Sequence, residues 1–222
     1  MTRLRRKSIT SLSPDNDIFK VEDLRQRLRQ HYPQRLTIFV VDASESMEEE
    51  TALRIAAAKG AILVLLRDAY VSRDRVALIA FRGEGAEVVV PPTRSIGLAR
   101  ERLQSLAVGG ATPLAAGLRK ALQLVRREQL KQTDLKPLLV LLSDGASNVP
   151  LRPGCDIWRE ITSLADELRG AGCNGVVIAA SHEPEGRNNL QTLAKTMGGR
   201  YYHLETLRTR QVIDILRDLD TE

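Results

Sequence analysis

Three oxygen-bearing side chains lie at alternate positions directly after a run of apolar residues. Asp42, Ser44 and Ser46 follow the run 36–41, which is rich in Val, Ile and Phe. Such a run predicts a fully buried parallel strand, and ligands bind at the carboxyl ends of parallel strands. Hard cations such as Mg²⁺ prefer carboxylate and hydroxyl oxygens. Asp and Ser are also good helix N-caps, so this stretch alone leaves a metal site and a capping role open.

Two further loops carry side chains of the same kind. Asp144 follows a second apolar run, 137–142, and Thr112 lies in a glycine-rich stretch. If the two apolar strands are neighbours, Asp42 and Asp144 face one crevice where the strand order reverses. Two carboxylates that close raise a pKa unless a cation compensates them. The spacing therefore predicts a divalent cation site assembled from three loops.

The predicted elements alternate along the chain. Apolar runs predict four more strands, at 75–81, 86–90, 175–180 and 201–204. Helical periodicity, caps and prolines predict helices at 48–70, 95–106, 113–128, 157–169, 188–197 and 206–219. A glycine turn makes the second and third strands an antiparallel hairpin, and two prolines confine the third strand to an edge. These features predict an α/β fold: a doubly wound, mostly parallel six-stranded sheet with one antiparallel edge strand and helices on both faces.

The N-terminal residues differ from the rest of the chain in charge. Residues 1–17 are polar and basic and predict a flexible arm. Residues 18–33 carry apolar side chains at helical spacing and predict a helix that leads into a single domain over 18–222. Much of the net charge of +5 lies in residues 1–35, which suits an acidic partner, protein or nucleic acid, or a solvated chain end. An aromatic content of 4% leaves few stacking surfaces, so a nucleic-acid-binding adaptor is the weaker interpretation.

Composition and motifs exclude several classes of protein. The 222 residues are 43% hydrophobic and 27% charged, as in a globular domain. No apolar run approaches the roughly 20 residues that span a bilayer, and no signal peptide is recognisable. Cys155 and Cys173 form no close metal-ligand pair, and a cytoplasmic setting is expected. The chain has no G-x-x-x-x-G-K-[S/T] motif, which excludes a P-loop ATPase within it.

The order of the candidate ligands resembles the metal-ion-dependent adhesion site of von Willebrand factor A domains: Asp-x-Ser-x-Ser, then Thr, then Asp-Gly. The resemblance implies a site for Mg²⁺ (or Mn²⁺) that receives an acidic side chain of a partner as its last ligand. The protein ligands it implies are Asp42, Ser44, Ser46, Thr112 and Asp144. One position departs from the family pattern, because Glu45 stands where these domains usually have Gly, and this bears on the shape of the loop.

Longer strings resemble the C-terminal A domain of the D-type subunits of magnesium chelatases. They include Ala56-Ala-Ala-Lys-Gly-Ala-Ile, Arg75-Val-Ala-Leu-Ile-Ala-Phe-Arg-Gly and Gly109-Gly-Ala-Thr-Pro-Leu-Ala-Ala-Gly-Leu. The resemblance covers about residues 20–210. It implies a non-catalytic interaction module of tetrapyrrole biosynthesis that works with an AAA+ ATPase subunit and a large chelatase subunit, without a membrane partner.

An enzymatic interpretation rests on the same aspartate. A hydrophobic strand that ends in Asp also resembles Mg²⁺-dependent phosphatases of the haloacid dehalogenase type. Those enzymes place a second Asp two residues later as general acid and base, whereas this chain has Ser44 there. We therefore expect no catalysis by this chain on its own, with a Mg²⁺-dependent phosphatase that uses Asp42 as the alternative.

Overall fold

The computed structural model describes residues 34–44, 60, 62–64, 66–67, 74–181 and 183–203. The predicted basic arm 1–17, the leading helix 18–33 and the last helix 206–219 lie outside the described residues, as does most of the helix predicted over 48–70. The domain boundaries predicted at 17 and 18 therefore stay predictions. The described strands all belong to one compact unit, Gln34–Glu222.

Six strands form a single sheet. They are β1 (Arg35–Asp42), β2 (Arg75–Arg82), β3 (Gly85–Thr93), β4 (Lys136–Ser143), β5 (Asn174–Ala179) and β6 (Arg200–His203). Their order across the sheet is β3-β2-β1-β4-β5-β6. Only the β2–β3 pair is antiparallel among these strands. The predicted sheet, with its antiparallel edge strand, is confirmed.

Helices cover both faces of the sheet, as predicted. The complete helices are α1 (Ile96–Gln104), α2 (Leu114–Lys131), α3 (Ile157–Gly170) and α4 (Pro184–Thr196). Residues 60, 62–64 and 66–67 are also helical, and we call them the Ile62 segment. Side chains of β1 alternate between two apolar cores. Ile38 and Val40 pack with α2, α3 and α4, whereas Phe39 and Val41 pack with the Ile62 segment and α1.

Some element boundaries differ from the predictions for local reasons. β3 continues through both prolines to Thr93, because it is an edge strand whose pairing with β2 is irregular. Helix α4 begins at Pro184, four residues earlier than predicted, and proline suits the first helical position. Helix α2 ends at Lys131 rather than Glu128, and the two side chains bond each other within its last turn. None of the described helices is long and apolar enough to cross a membrane.

Candidate metal centre

Asp42 ends the strand at which the order of the sheet reverses. β1 lies between β2 and β4, and the pairing of Val41 with Leu142 places Asp42 beside Ser143. The Ser143 hydroxyl donates to Asp42 Oδ2 at 2.8 Å, and the Ser44 amide donates to Asp42 Oδ1 at 3.0 Å. Asp42 is 4% exposed. The neighbouring strand and the residue's own loop therefore hold both oxygens of a nearly buried carboxylate.

The electrostatic environment of Asp42 is unfavourable to its charge. Burial and then the nearby Asp144 carboxylate raise the pKa of Asp42 to about 7, against the hydrogen bonds from Ser44 and Ser143, which lower it. Within the part of the chain that the structure describes, no Lys, Arg or His side chain forms an ion pair with Asp42. The described residues thus place two carboxylates together and pair neither with a cationic side chain.

The loop that carries Asp144 is held by close backbone packing. Asp144 is half-buried, and its Oδ1 accepts a hydrogen bond from the Ala146 amide at 2.8 Å. Gly145 has a φ of +80°, and a Cβ there would lie 2.5 Å from the carbonyl oxygen of Gly186 in α4. Only glycine accepts both this backbone conformation and this approach. Helix α4 therefore packs directly on the loop that presents Asp144.

Thr112 is clamped by the loop that follows β4. Its amide donates to Asn148 Oδ1 at 2.8 Å, and its carbonyl accepts from the Asn148 amide at 3.3 Å and from the Ser147 hydroxyl at 3.2 Å. These three bonds use backbone atoms of Thr112, so the hydroxyl takes no part in them. A bond of 2.9 Å from the Gly109 amide to the Ala43 carbonyl joins the glycine loop to the loop after β1. All three candidate loops are thus linked to one another.

The structure describes four of the five predicted ligands. Asp42, Ser44 and Thr112 are buried and Asp144 is half-buried, all on the linked loops at the carboxyl edge of the sheet. Ser46 and the unusual Glu45 lie outside the described residues. The described residues bring together no group of three or more His, Cys, Asp or Glu, so a metal here would depend on hydroxyl ligands as well. Two carboxylates with hydroxyls are a hard, all-oxygen donor set, which fits Mg²⁺ or Mn²⁺.

Two supporting residues were not predicted to have a role. Ser143 bonds Asp42 across the β1–β4 pair, and Asn148 holds the Thr112 backbone. Ser143 could have been found from the sequence, because aligning the ends of two parallel strands places it beside Asp42. Asn148 has no such signal, since its partner lies 36 residues away in a different loop.

Comparison with known proteins agrees with this arrangement. Residues 37–146 match the family model of the von Willebrand factor type A domain. The chain belongs to this family. The VWA fold is also shared with the domain of the type V pili tip protein Mfa5 from Porphyromonas gingivalis, at a TM-score of 0.68 and 11% identity, over 84% of this chain and 95% of that one. At that identity the likeness concerns the fold alone.

The VWA domain is related to magnesium-chelatase subunits. It is 36% identical over 202 residues to the magnesium-chelatase 60 kDa subunit of Cereibacter sphaeroides, a match that covers 90% of this chain and 35% of the relative. It is also 34% identical over 170 residues to an uncharacterized protein of Methanocaldococcus jannaschii, over 75% of this chain and 95% of the relative. The chain therefore spans about a third of the length of the magnesium-chelatase subunits it matches.

Proposed function

We propose that this VWA domain is a Mg²⁺-dependent interaction module of a chelatase-type AAA+ assembly and is not itself catalytic. One observation carries the proposal. Asp42 is buried beside a second carboxylate, Asp144, and has no basic partner in the described part of the chain. Such an arrangement is costly unless a cation joins it. The linked loops place this pair at the carboxyl edge of the sheet, where ligands bind in α/β folds.

Some residues of the chain would bind the ion directly, and others would position those ligands. The ligands in this proposal are Asp42, Ser44, Ser46, Thr112 and Asp144, and Mn²⁺ would fit the same oxygens. Ser143 orients the Asp42 carboxylate and Asn148 holds the Thr112 backbone. When bound, the ion would supply the positive charge that attracts an acidic side chain of a partner. Because the ligands must be deprotonated, docking would depend on both metal and pH.

The relatives support the choice of assembly. Several are magnesium-chelatase subunits, and the partners we propose are an AAA+ ATPase subunit and a large chelatase subunit, in a cytoplasmic complex of tetrapyrrole biosynthesis. The chain lacks a P-loop motif, so ATP hydrolysis would belong to the partner. The domain would connect the partner subunits through its metal edge.

A thermal titration tests the metal. At a free Mg²⁺ concentration about one hundred times Kd, the ion should stabilise the wild-type chain by about 2.7 kcal/mol, which corresponds to roughly 5–10 °C in Tm. Asp144→Asn should lose most of this gain. Asp166→Asn is the matched control, because that exposed carboxylate pairs with Arg169 on α3, outside the candidate loops. Equal Mg²⁺ stabilisation of Asp144→Asn and wild type would contradict the metal assignment.

Capture of a partner tests the docking role. The chain should retain the AAA+ ATPase subunit of a chelatase-type complex in Mg²⁺ and release it in EDTA. Asp144→Asn should fail to retain it, while Asp166→Asn should behave as wild type. If the metal binds but capture is indifferent to EDTA, docking does not use this site. Mg²⁺-dependent turnover of phosphate esters by the isolated chain would instead establish the enzymatic alternative.

A further inference from the structure

A cleft lies between α2 and α3 and is bounded at one end by the loop 151–156. Its volume is about 690 Å³. Four arginines line it from three different elements: Arg119 and Arg126 from α2, Arg152 from the loop and Arg159 from α3. None of these residues belongs to the candidate metal centre, and all four are exposed.

Three acidic side chains line the cleft, and each has a partner: Glu167 pairs with Arg126, and the other two accept from backbone amides. Asp156 caps α3 by accepting from the Arg159 amide at 2.8 Å. Glu160, in the first turn of α3, accepts from the Leu151 amide at 2.7 Å. Both carboxylates therefore lie at the positive end of the α3 dipole, which offsets their charge. They are bound to backbone amides rather than to the arginines that face them across the cleft.

Three of the four arginines are uncommitted. Arg126 pairs with Glu167 at 2.9 Å. Across the described residues, the guanidinium groups of Arg119, Arg152 and Arg159 enter no ion pair. Guanidinium groups bind carboxylates with paired, directional hydrogen bonds. The cleft therefore offers donors that match an acidic ligand.

The shape of the cleft favours a peptide over a small anion. Half-buried Leu151 contributes apolar surface to the cleft, and the largely buried Leu122 and Leu164 form part of its floor. Arg119 on α2 and Arg159 on α3 border the cleft from its two sides, and among the described residues neither is in an ion pair. A segment with several acidic side chains around apolar ones can engage arginines on both sides and contact the leucines, which a single carboxylate cannot do.

Nucleic acid fits the same cleft less well. Single-stranded nucleic acid is held by aromatic side chains that stack on the bases, in addition to positive charge. The described residues that line the cleft include no Phe, Tyr or Trp. The apolar surface consists of leucine side chains, which suit aliphatic groups of a peptide.

We infer that the cleft between α2 and α3 binds an acidic, partly apolar peptide segment of a partner protein, at a site separate from the candidate metal centre. The occupant carries at least two carboxylates that pair with the uncommitted arginines, and its apolar side chains contact Leu151 and the exposed edges of Leu122 and Leu164. Because no candidate metal ligand lines the cleft, binding is independent of Mg²⁺. This site would give a partner a second point of attachment on the face that carries α2 and α3.

The test uses fluorescence anisotropy with the full chain in EDTA. The probe is a labelled twelve-residue peptide of alternating Glu and Leu, and the wild-type chain is expected to bind it. Combining Arg119→Glu with Arg159→Glu should weaken binding by about tenfold or more, since each exchange replaces attraction with repulsion. The control combines Arg94→Glu with Arg102→Glu, which makes the same charge change at two exposed positions, one just before α1 and one within it. This control variant should bind the peptide as wild type does.

Five outcomes would overturn the inference, and four of them concern the peptide assay in EDTA. They are no binding of the peptide by wild type, equal loss in the control variant, equal binding of a Lys-Leu peptide, and tighter binding of single-stranded DNA than of the acidic peptide. A thermal melt of each variant shows that it is folded, which is expected because all four arginines are exposed. Peptide binding that needs Mg²⁺ would also overturn it, and would assign the peptide to the metal centre, so the two proposals fail separately.

Discussion

Two carboxylates among the described residues are almost fully buried, and their surroundings differ. Asp42 is 4% exposed at the carboxyl end of β1, and Glu128 is 1% exposed in the last turn of α2. Glu128 accepts from Arg75 Nη2 at 2.6 Å and is also bonded by Lys131. Burial acts to raise the pKa of Glu128, but its bonds to Lys131 and Arg75 hold that pKa below the usual value. Asp42 instead faces Asp144, and its pKa rises to about 7.

The different surroundings of the two carboxylates indicate that Glu128 has a structural role and that Asp42 is a candidate functional residue. Burying a carboxylate is costly in both places, and near Glu128 the chain itself supplies two cations. Near Asp42 the described residues supply serine hydrogen bonds and a second negative charge, with no cationic side chain paired to it. The contrast supports an external cation at the carboxyl edge. It also predicts that the two carboxylates respond in opposite directions to neutralisation.

The largest effect is expected at Glu128. Glu128→Ala should lower the free energy of unfolding by about 2–3 kcal/mol, with or without Mg²⁺. The substitution removes a paired buried charge and leaves Arg75 without its carboxylate partner. The value lies at the lower end for buried pairs, since Lys131 is 54% exposed and can turn to water. Urea unfolding in EDTA measures it. A loss below about 0.5 kcal/mol, as for an exposed pair, would remove the contrast with Asp42.

Neutralising Asp42 should have the opposite sign. In EDTA at pH 8, Asp42→Asn should raise the free energy of unfolding by about 1–3 kcal/mol, because it removes a desolvated charge that Asp144 repels. The same variant should gain nothing from Mg²⁺. Urea unfolding of Asp166→Asn provides the baseline for an exposed carboxylate. A destabilised Asp42→Asn chain in EDTA would mean that the buried charge is compensated within the protein.

Per pH unit, the smallest effect is the slope of the Asp42 contribution to stability. The pKa of Asp42, about 7 in the folded chain, lies above its ordinary value of 3.8, so the folded state holds a proton that the unfolded state has lost. Its contribution to stability is fully present below about pH 3.8 and is lost as the pH rises through about 7, with a slope of up to about 1.4 kcal/mol per pH unit. In EDTA, this fall should be visible as the difference between wild type and Asp42→Asn.

Glu128 and Mg²⁺ provide the controls for that slope. The lowered pKa of Glu128 contributes stability above its unfolded value of 4.5, and this is lost as the pH falls through the folded pKa. The difference in free energy of unfolding between wild type and Glu128→Ala should therefore be constant near neutral pH and should shrink only at acidic pH. Saturating Mg²⁺ should flatten the Asp42 profile above pH 5, since a bound cation keeps the carboxylate ionised. A profile for Asp42 that rises with pH in EDTA would contradict the environment described here.

Much of the sheet could be predicted from local pattern. The apolar runs that end at Asp42 and before Asp144 are buried strands, and they are neighbours, as the prediction of a shared crevice required. Element ends were less predictable. Pro91 and Pro92 lie inside β3, and α4 begins at Pro184. A proline is tolerated in β3 because that strand lies at the edge of the sheet, and at the start of α4 because the first turn of a helix needs no amide hydrogen there. Neither condition can be read from the proline itself.

Contacts between distant loops could not be predicted in the same way. Asn148 holds Thr112, and Gly145 fits against Gly186, through pairs whose members lie far apart in the chain. The compensation of Glu128 by Arg75 crosses 53 residues. Nothing in the local sequence distinguishes Glu128 from other helical glutamates, because its burial and its partner both depend on how α2 packs on β2.

The order of residue types along the chain is enough to predict the α/β class and to nominate oxygen-bearing candidate ligands, because hydrophobic periodicity and oxygen chemistry are local properties. That β1 and β4 are neighbours, so that the strand order reverses at Asp42, is decided by the tertiary structure. Charge balance is not local. Among the described residues, Asp42 has no cationic partner, Glu128 has two, and four arginines surround one cleft. These differences follow from packing, since burial and distance set the energy of each charge. The tertiary structure therefore distinguishes the aspartate that could await a metal ion from the glutamate that does not.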